Sequence, residues 1–275
     1  LRALDQRTSL QATITRLISD SGGTMQENTL IELRNVKKVY HVGSVDVHAL
    51  RGVDLQIASG DICSIIGRSG SGKSTMLNVL AGLEKVTSGE IVIAGKHLER
   101  MTEGELILFR QKRVGFIFQS FNLMPYYSAL ENVALPLSFS GVPQAQRIKR
   151  AKRMLDLVGL KTHMNHKPSE LSGGQQQRVG IARALVTDPQ IVFADEPTGN
   201  LDSNTSDEVM HVIINILREQ KKTLVMVTHD SHIAEFGDKV IHLLDGRITD
   251  ITINAQEGTT QNEPSVRETE GILHA

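Results

Sequence analysis

Gly67-Arg68-Ser69-Gly70-Ser71-Gly72-Lys73-Ser74 follows an apolar run, Asp61–Ile66, and opens a helical pattern over Lys73–Ala81 that Gly82 closes. Glycines at this spacing let a backbone wrap closely and aim its N–H groups at phosphate oxygens. Lys73 would set a point charge on the β- and γ-phosphates of a nucleotide, and Ser74 would offer its hydroxyl to Mg²⁺. Thr75 belongs to the same first helical turn. The start of that helix adds the positive end of its dipole. A string of this kind arises by chance in about one chain in a hundred of this length. Its strand–loop–helix setting is the one the phosphate chemistry needs.

A second chemical element is Ile191-Val192-Phe193-Ala194-Asp195-Glu196. An acid at the C-terminal end of a buried parallel strand faces the ligand crevice. Asp195 would hold Mg²⁺ through its water shell, and Glu196 would lie near the γ-phosphate and polarise the attacking water. A third string, Leu171-Ser172-Gly173-Gly174-Gln175, arises by chance in well under roughly one chain in a thousand. Ser172 and Gly174 stand at a helix start, another place suited to an anion.

Taken together, these strings resemble the nucleotide-binding subunit of an ABC transporter over roughly residues 30–250. Leu171–Gln175, continued by Gln176-Gln177-Arg178, matches the signature motif of that family. The resemblance implies an α/β fold: a P-loop NTPase cassette with a RecA-like parallel-sheet core, an N-terminal antiparallel β subdomain and an inserted helical subdomain. It also implies a head-to-tail pair of subunits, with each ATP sandwiched between one glycine loop and the other copy's signature motif. A second anion site without a phosphate of its own makes sense on that plan. Gln119, after the strand Val114–Phe118, matches the glutamine that senses Mg²⁺ and water. Asn200-Leu201-Asp202 resembles the D-loop at the dimer seam, keeping its Leu-Asp pair but not the commonest preceding residues. His229, in Val227-Thr228-His229-Asp230, matches the histidine that contacts the γ-phosphate. Tyr40 stands where the family stacks an aromatic on adenine; an ordinary strand-end tyrosine is the rival reading. The implied catalytic set is Glu196, His229 and Lys73, with Ser74, Gln119 and Asp195 around the metal.

These residues require elements to position them. Leu30–Val36 and Val53–Ile57 read as short strands separated by a turn at Gly43. From about 120 to 170 the pattern turns helical, with Ser128–Leu137 and Gln144–Val158 as helices. Ile148, Ala151, Leu155 and Val158 form one stripe of the second. Gly173-Gly174 opens a helix to about Val186. Ser203–Gln220 is amphipathic, with Met210, Ile213, Ile214 and Leu217 on the buried face. Thr223–Thr228 is a strand, and Lys239–Leu244 is the last strand before the Asp245-Gly246 turn. Strands alternating with helices imply a largely parallel sheet.

Composition narrows the function classes. The chain has 275 residues, 40% hydrophobic and 22% charged, with 30 basic against 31 acidic residues and a net charge of −1. That balance argues against a dedicated nucleic-acid binder. The single cysteine, Cys63, excludes an internal disulfide and reads as a buried structural thiol. No apolar run reaches the roughly 18 residues of a membrane span, so the resemblance implies a separate permease and a peripheral place at the cytoplasmic membrane face. Residues 1–24, with Leu10, Ile14, Leu17 and Ile18 at helical spacing, read as a mobile or partly helical extension, the cassette as 25–250, and 251–275 as a polar tail. Phe121–Leu137 and Ala194–Asp202 resemble the bacterial lipoprotein-release, macrolide-export and antimicrobial-peptide-resistance branch. Phe121, Tyr126 and Tyr127 are the expected permease contacts. Arg147, Lys149, Arg150, Lys152 and Arg153 read as a solvated helix face, with attraction to anionic lipid head groups as the alternative. The rival function is a soluble ABC ATPase of DNA repair or translation, which commonly carries coiled-coil insertions, zinc sites or paired cassettes.

Overall fold

Two sheets share the molecule, and the glycine loop and Asp195-Glu196 adjoin strands of the second. In the computed structural model, which describes residues 28–254, the first sheet has the order β2-β1-β4-β5 and is antiparallel throughout. Its strands are β1 (Thr29–Val42), β2 (Val45–Ala58), β4 (Ser88–Ile93) and β5 (Lys96–His97). The second has the order β10-β9-β3-β8-β7-β6. Five of its strands run parallel: β3 (Ile62–Ile66), β6 (Val114–Phe118), β7 (Ile191–Asp195), β8 (Thr223–Thr228) and β9 (Lys239–Leu244). The edge strand β10 (Arg247–Ile253) pairs with β9 antiparallel. The expectation for residues 1–24 lies outside the described residues, as does the tail beyond residue 254.

The parallel strands read as continuous apolar runs because both of their faces are covered. Alternation divides them between two cores. Ile191, Phe193, Val225 and Val227 point toward the antiparallel sheet, packing with Leu33, Ile57 and Leu77. Val192, Ala194, Leu224 and Met226 point the other way, into a core built by helices. All six residues of β8 are buried.

The helices are α1 (Lys73–Leu80), α2 (Glu103–Arg113), α3 (Ala129–Phe139), α4 (Gln144–Leu157), α5 (Gly173–Leu185), α6 (Ser203–Glu219) and the single turn α7 (Ser231–Ala234). Between β6 and α5 the chain carries α3, α4 and two 3-10 turns and no strand. The expected stripe on α4 is apolar and inward: Ala151, Leu155 and Val158 are fully buried and Ile148 packs against them. Met210, Ile213, Ile214 and Leu217 do the same for α6. Each of α2, α3 and α5 opens with a reciprocal capping box: Thr102 with Glu105, Ser128 with Glu131, Ser172 with Gln175.

Three readings of the sequence need correction. The first two strands are not short: β1 and β2 run on to a two-residue turn at Gly43-Ser44. Residues 41–48 around that turn are all exposed, Val42, Val45 and Val47 included, so no hydrophobic alternation marks this part of either strand. Lys239–Leu244 is not the last strand, because β10 follows it as a mostly exposed edge. β4 and α2 had no assigned place. Only Leu106 and Phe109 of α2 are buried, which leaves a weak helical stripe.

Candidate active site

The parallel order β3-β8-β7 sets three loops side by side at the C-terminal edge of the sheet, where ligands of α/β folds bind. The glycine loop leaves β3. Arg68, Ser69 and Gly70 are exposed, while Ser71 is buried with its hydroxyl unpartnered. Lys73 Nζ donates to the carbonyls of Gly67 at 2.8 Å and Arg68 at 3.2 Å, curling the loop around its own ammonium. Gly67 has no room for a side chain, since a Cβ there would lie 2.2 Å from the Leu243 carbonyl oxygen. The β9–β10 turn is stitched to the loop: the Gly246 N–H donates to the Ser71 carbonyl at 2.9 Å, and the Arg51 N–H to the Gly246 carbonyl at 2.8 Å. α1 begins after Gly72 (φ 103°) with no side-chain cap. Its first N–H groups are therefore available to an outside acceptor. Ser74 is exposed and Thr75 half-buried beside them.

β7 delivers Asp195 and Glu196 to the same edge. Burial pushes the Asp195 carboxyl above its ordinary pKa, the neighbouring Glu196 charge adds to this, and the Lys73 ammonium opposes it. Glu196 adopts φ 47°, a left-handed conformation costly for a residue with a Cβ. Its N–H donates to the Val227 carbonyl at 3.0 Å. The fully buried Gln177 donates to the Pro197 carbonyl and so fixes the next residue. The Glu196 carboxylate meets His229 Nδ1 at 2.9 Å through either oxygen, and Thr228 Oγ1 donates to it at 3.4 Å. Glu196 is 16% exposed and His229 69%, so the pair has one anchored and one open member. A carboxylate held against an imidazole is suited to orienting a water and moving its proton.

Gln119 stands at the end of β6. Its Nε2 reaches Asn200 Oδ1 at 3.5 Å, and Asn200 Nδ2 donates to the Gln119 carbonyl at 3.0 Å. Asp202 caps α6, accepting from the Thr205 N–H at 3.0 Å and the Thr205 hydroxyl at 2.7 Å, which holds its carboxyl below the usual range. At α5, Gln175 Oε1 accepts from the Ser172 N–H at 3.0 Å and Ser172 Oγ accepts from the Gln175 N–H at 3.3 Å. A Cβ on Gly174 would lie 2.5 Å from Thr205 Cγ2, and one on Gly173 would lie 3.2 Å from Leu201 Cδ2. Close packing against the start of α6 therefore accounts for both glycines within one chain. Tyr40 donates to Glu84 at 2.6 Å and lies 3.5 Å from Thr75 Oγ1, with Lys38 Nζ 4.8 Å from its ring centroid. That tether sets the ring beside the first turn of α1.

Ser74, Gln119 and Asp195 offer only oxygen donors to a metal, a set that suits the hard Mg²⁺ ion. A cation there would counter the burial and the Glu196 charge that raise the Asp195 pKa. Among the described residues one other grouping of possible ligands exists, Glu90, His97 and Glu99 on the antiparallel sheet. Arg34 and Arg100 already neutralise it.

Residues 50–199 match the family model described as ABC transporter. The chain belongs to the ABC transporter family. An ABC transporter ATP-binding protein of Thermotoga maritima is 48% identical over 222 residues, covering 81% of this chain and 94% of that one. A macrolide export ATP-binding/permease protein of Syntrophobacter fumaroxidans is 42% identical over 239 residues; 86% of this chain covers 33% of that protein. The chain thus spans about a third of the length of such macrolide-export relatives. A solved bacterial ABC transporter cassette, described as dimeric, superposes with a TM-score of 0.76 at 45% identity, covering 82% of this chain and 98% of that one. A second structure, of a post-hydrolysis dimer bound to ADP and Pi, gives 0.75 at 44% identity. The fold is the family's α/β cassette, and the activity is that of an ATP-binding, ATP-hydrolysing ABC ATPase.

Within this ABC cassette several supporting residues had no sequence assignment. Asn132 is fully buried and holds Met124, Tyr127 and Ser128 through their backbones. Arg183 holds Phe121 and Asn122 in the same way. Arg183 is a lone polar residue in the apolar run 179–186, and that was the available signal; Asn132, next to Glu131, gave none. Tyr126 is 86% exposed and Tyr127 is exposed beside it. Phe121, expected at the surface with them, is half-buried, with its ring near Gly173. Cys63 is buried and its thiol is pushed up to about 12 by loss of hydration, an unreactive state.

Proposed function

We propose that this chain is the ATPase subunit that drives a separate membrane permease of the lipoprotein-release or macrolide-export type, through ATP-dependent closure of a head-to-tail dimer. The observation that carries this reading is the convergence of the Lys73 loop, Asp195-Glu196 and His229 on one edge of the parallel sheet, with Glu196 and His229 in direct contact. Lys73 and the open N–H groups of α1 bind the phosphates, and Tyr40 stacks on the base. Ser74, Gln119 and Asp195 hold Mg²⁺, which neutralises phosphate charge when bound. Glu196 orients the water and accepts its proton, and His229, the exposed member of the pair, turns to the γ-phosphate. Catalysis is then positioning and charge stabilisation.

Ser172–Gln175 and Asp202 serve the nucleotide of the partner copy. Hydrolysis removes the bridging γ-phosphate, and the dimer opens. The dimeric state of two similar solved cassettes supports this. The permease reading draws on the macrolide-export relatives and on exposed Tyr126 and Tyr127 after Gln119. Among the described residues no helix is long and apolar enough to cross a membrane, in keeping with a peripheral place at the cytoplasmic face.

Glu196→Gln should lower kcat by about 100-fold or more while nucleotide affinity persists. Near-normal turnover removes the assigned role of Glu196. Retained with ATP and mixed with solubilised membranes, the same variant should capture a protein with few spans and a large extracytoplasmic domain. Recovery of DNA or ribosomes would favour a soluble ABC ATPase.

A further inference from the structure

Beyond Gln119 the backbone enters the left-handed region twice in succession, at Phe121 (φ 57°) and Asn122 (φ 49°). Neither is glycine, so the turn needs outside support. Both carbonyls meet one side chain. Arg183, near the C-terminal end of α5, donates from Nη2 to the Phe121 carbonyl at 2.7 Å and from Nη1 to the Asn122 carbonyl at 2.5 Å. The guanidinium is half-buried, and no carboxylate pairs with it among the described residues. A charge removed from water in this way is retained only where its donors are well used.

The same segment touches the other end of α5. A Cβ on Gly173 would lie 3.9 Å from the tip of the Phe121 ring. Two residues upstream, Gln119 is crosslinked to Asn200. One short stretch of backbone thus joins the metal-facing glutamine to both ends of the helix that begins at Ser172.

We propose that Arg183 is a positioning residue for hydrolysis: its guanidinium holds the left-handed turn at Phe121-Asn122, so that Gln119 and the start of α5 move as one body. This rests on the site assignment above. Arg183 makes no contact with the glycine loop, so its loss leaves the affinity of a single chain for nucleotide intact. What falls is kcat, because Gln119 and the Ser172 helix start lose their common register. A purely structural arginine would instead lower affinity, turnover and melting temperature together.

The experiment uses the full chain with Arg183→Met and Arg183→Lys, fluorescent ATP-analogue binding in EDTA, steady-state ATPase kinetics and melting curves. Arg183→Met should keep its analogue Kd within about twofold and lose about tenfold or more in kcat. Arg183→Lys, which keeps a charged donor, should recover part of that loss. Adding Asn122→Gly to the Met variant should also raise kcat, because glycine takes positive φ freely. If Arg183→Met melts too low to assay, the Lys variant decides: reduced kcat at unchanged Kd supports the role. Wild-type kcat in either variant overturns it, as does joint loss of Kd and kcat that neither Lys nor Asn122→Gly relieves. Lys73→Ala is the control. Its retention of wild-type turnover would overturn the site assignment and this proposal with it.

Discussion

The helices α1 and α5, whose starts the proposed function assigns to phosphate, begin differently. α1 starts at a glycine with no side chain to cap it. α5 starts with a complete capping box, Ser172 and Gln175 satisfying each other's backbone. The first is unfinished without a ligand, and the second is stable alone. An uncapped start is tolerated where the phosphate itself is the cap. A self-capped start, packed on Leu201 and Thr205, is a prebuilt surface that a phosphate on another copy can approach without rearranging it.

Five substitutions break or sharpen that contrast. Lys73→Ala should have the largest effect, about 100-fold or more in kcat/KM, because the loop loses its one positive side-chain charge facing Asp195. The melting temperature without nucleotide should scarcely change, and the rise on adding ATP should vanish. Gly174→Ala tests the other helix. The new methyl meets Thr205 Cγ2, so denaturant titration should show a loss of about 1–3 kcal/mol. Thr205→Ser removes that methyl and keeps the hydroxyl on Asp202, so the double variant should regain most of the stability. No regain would mean that Gly174 is required for something other than this contact.

Ser172→Ala should cost about 1 kcal/mol as a lost cap and leave the nucleotide affinity of a single chain unchanged. A matching loss in affinity would erase the distinction between the two helix starts. The smallest effect on stability concerns Asp195. Its folded pKa is raised, so the stability tied to its protonated form is present below the unfolded carboxyl pKa and fades as pH rises through the folded one. Asp195→Asn should therefore raise the melting temperature of the nucleotide-free protein at neutral pH and flatten its acid-range dependence, while abolishing turnover. Asp202, whose pKa is lowered by its capping bonds, runs the opposite way: its contribution is present above the unfolded pKa and is lost as pH falls.

The glycine loop was legible in the sequence because its pattern is a contiguous run of backbone, and so was the helix start at Ser172. Glu196 and His229 were legible as separate residues, but their contact was not. It depends on β7 lying beside β8, which no local pattern encodes. Nor was the left-handed turn at Glu196 visible, since Gln177 and Val227 impose it from elsewhere. The full length of the β1–β2 hairpin escaped for the opposite reason: its tip, residues 41–48, buries no side chains, and periodicity reports burial rather than pairing.

The hydrogen bonds from Gly246 to Ser71 and from Arg51 to Gly246 set an order of events. The glycine loop precedes its last supports, Leu243 and Gly246, by about 175 residues. During synthesis the phosphate-binding sequence leaves the ribosome long before the turn that closes it. The glycine loop therefore reaches its finished packing only once the turn between β9 and β10 is in place.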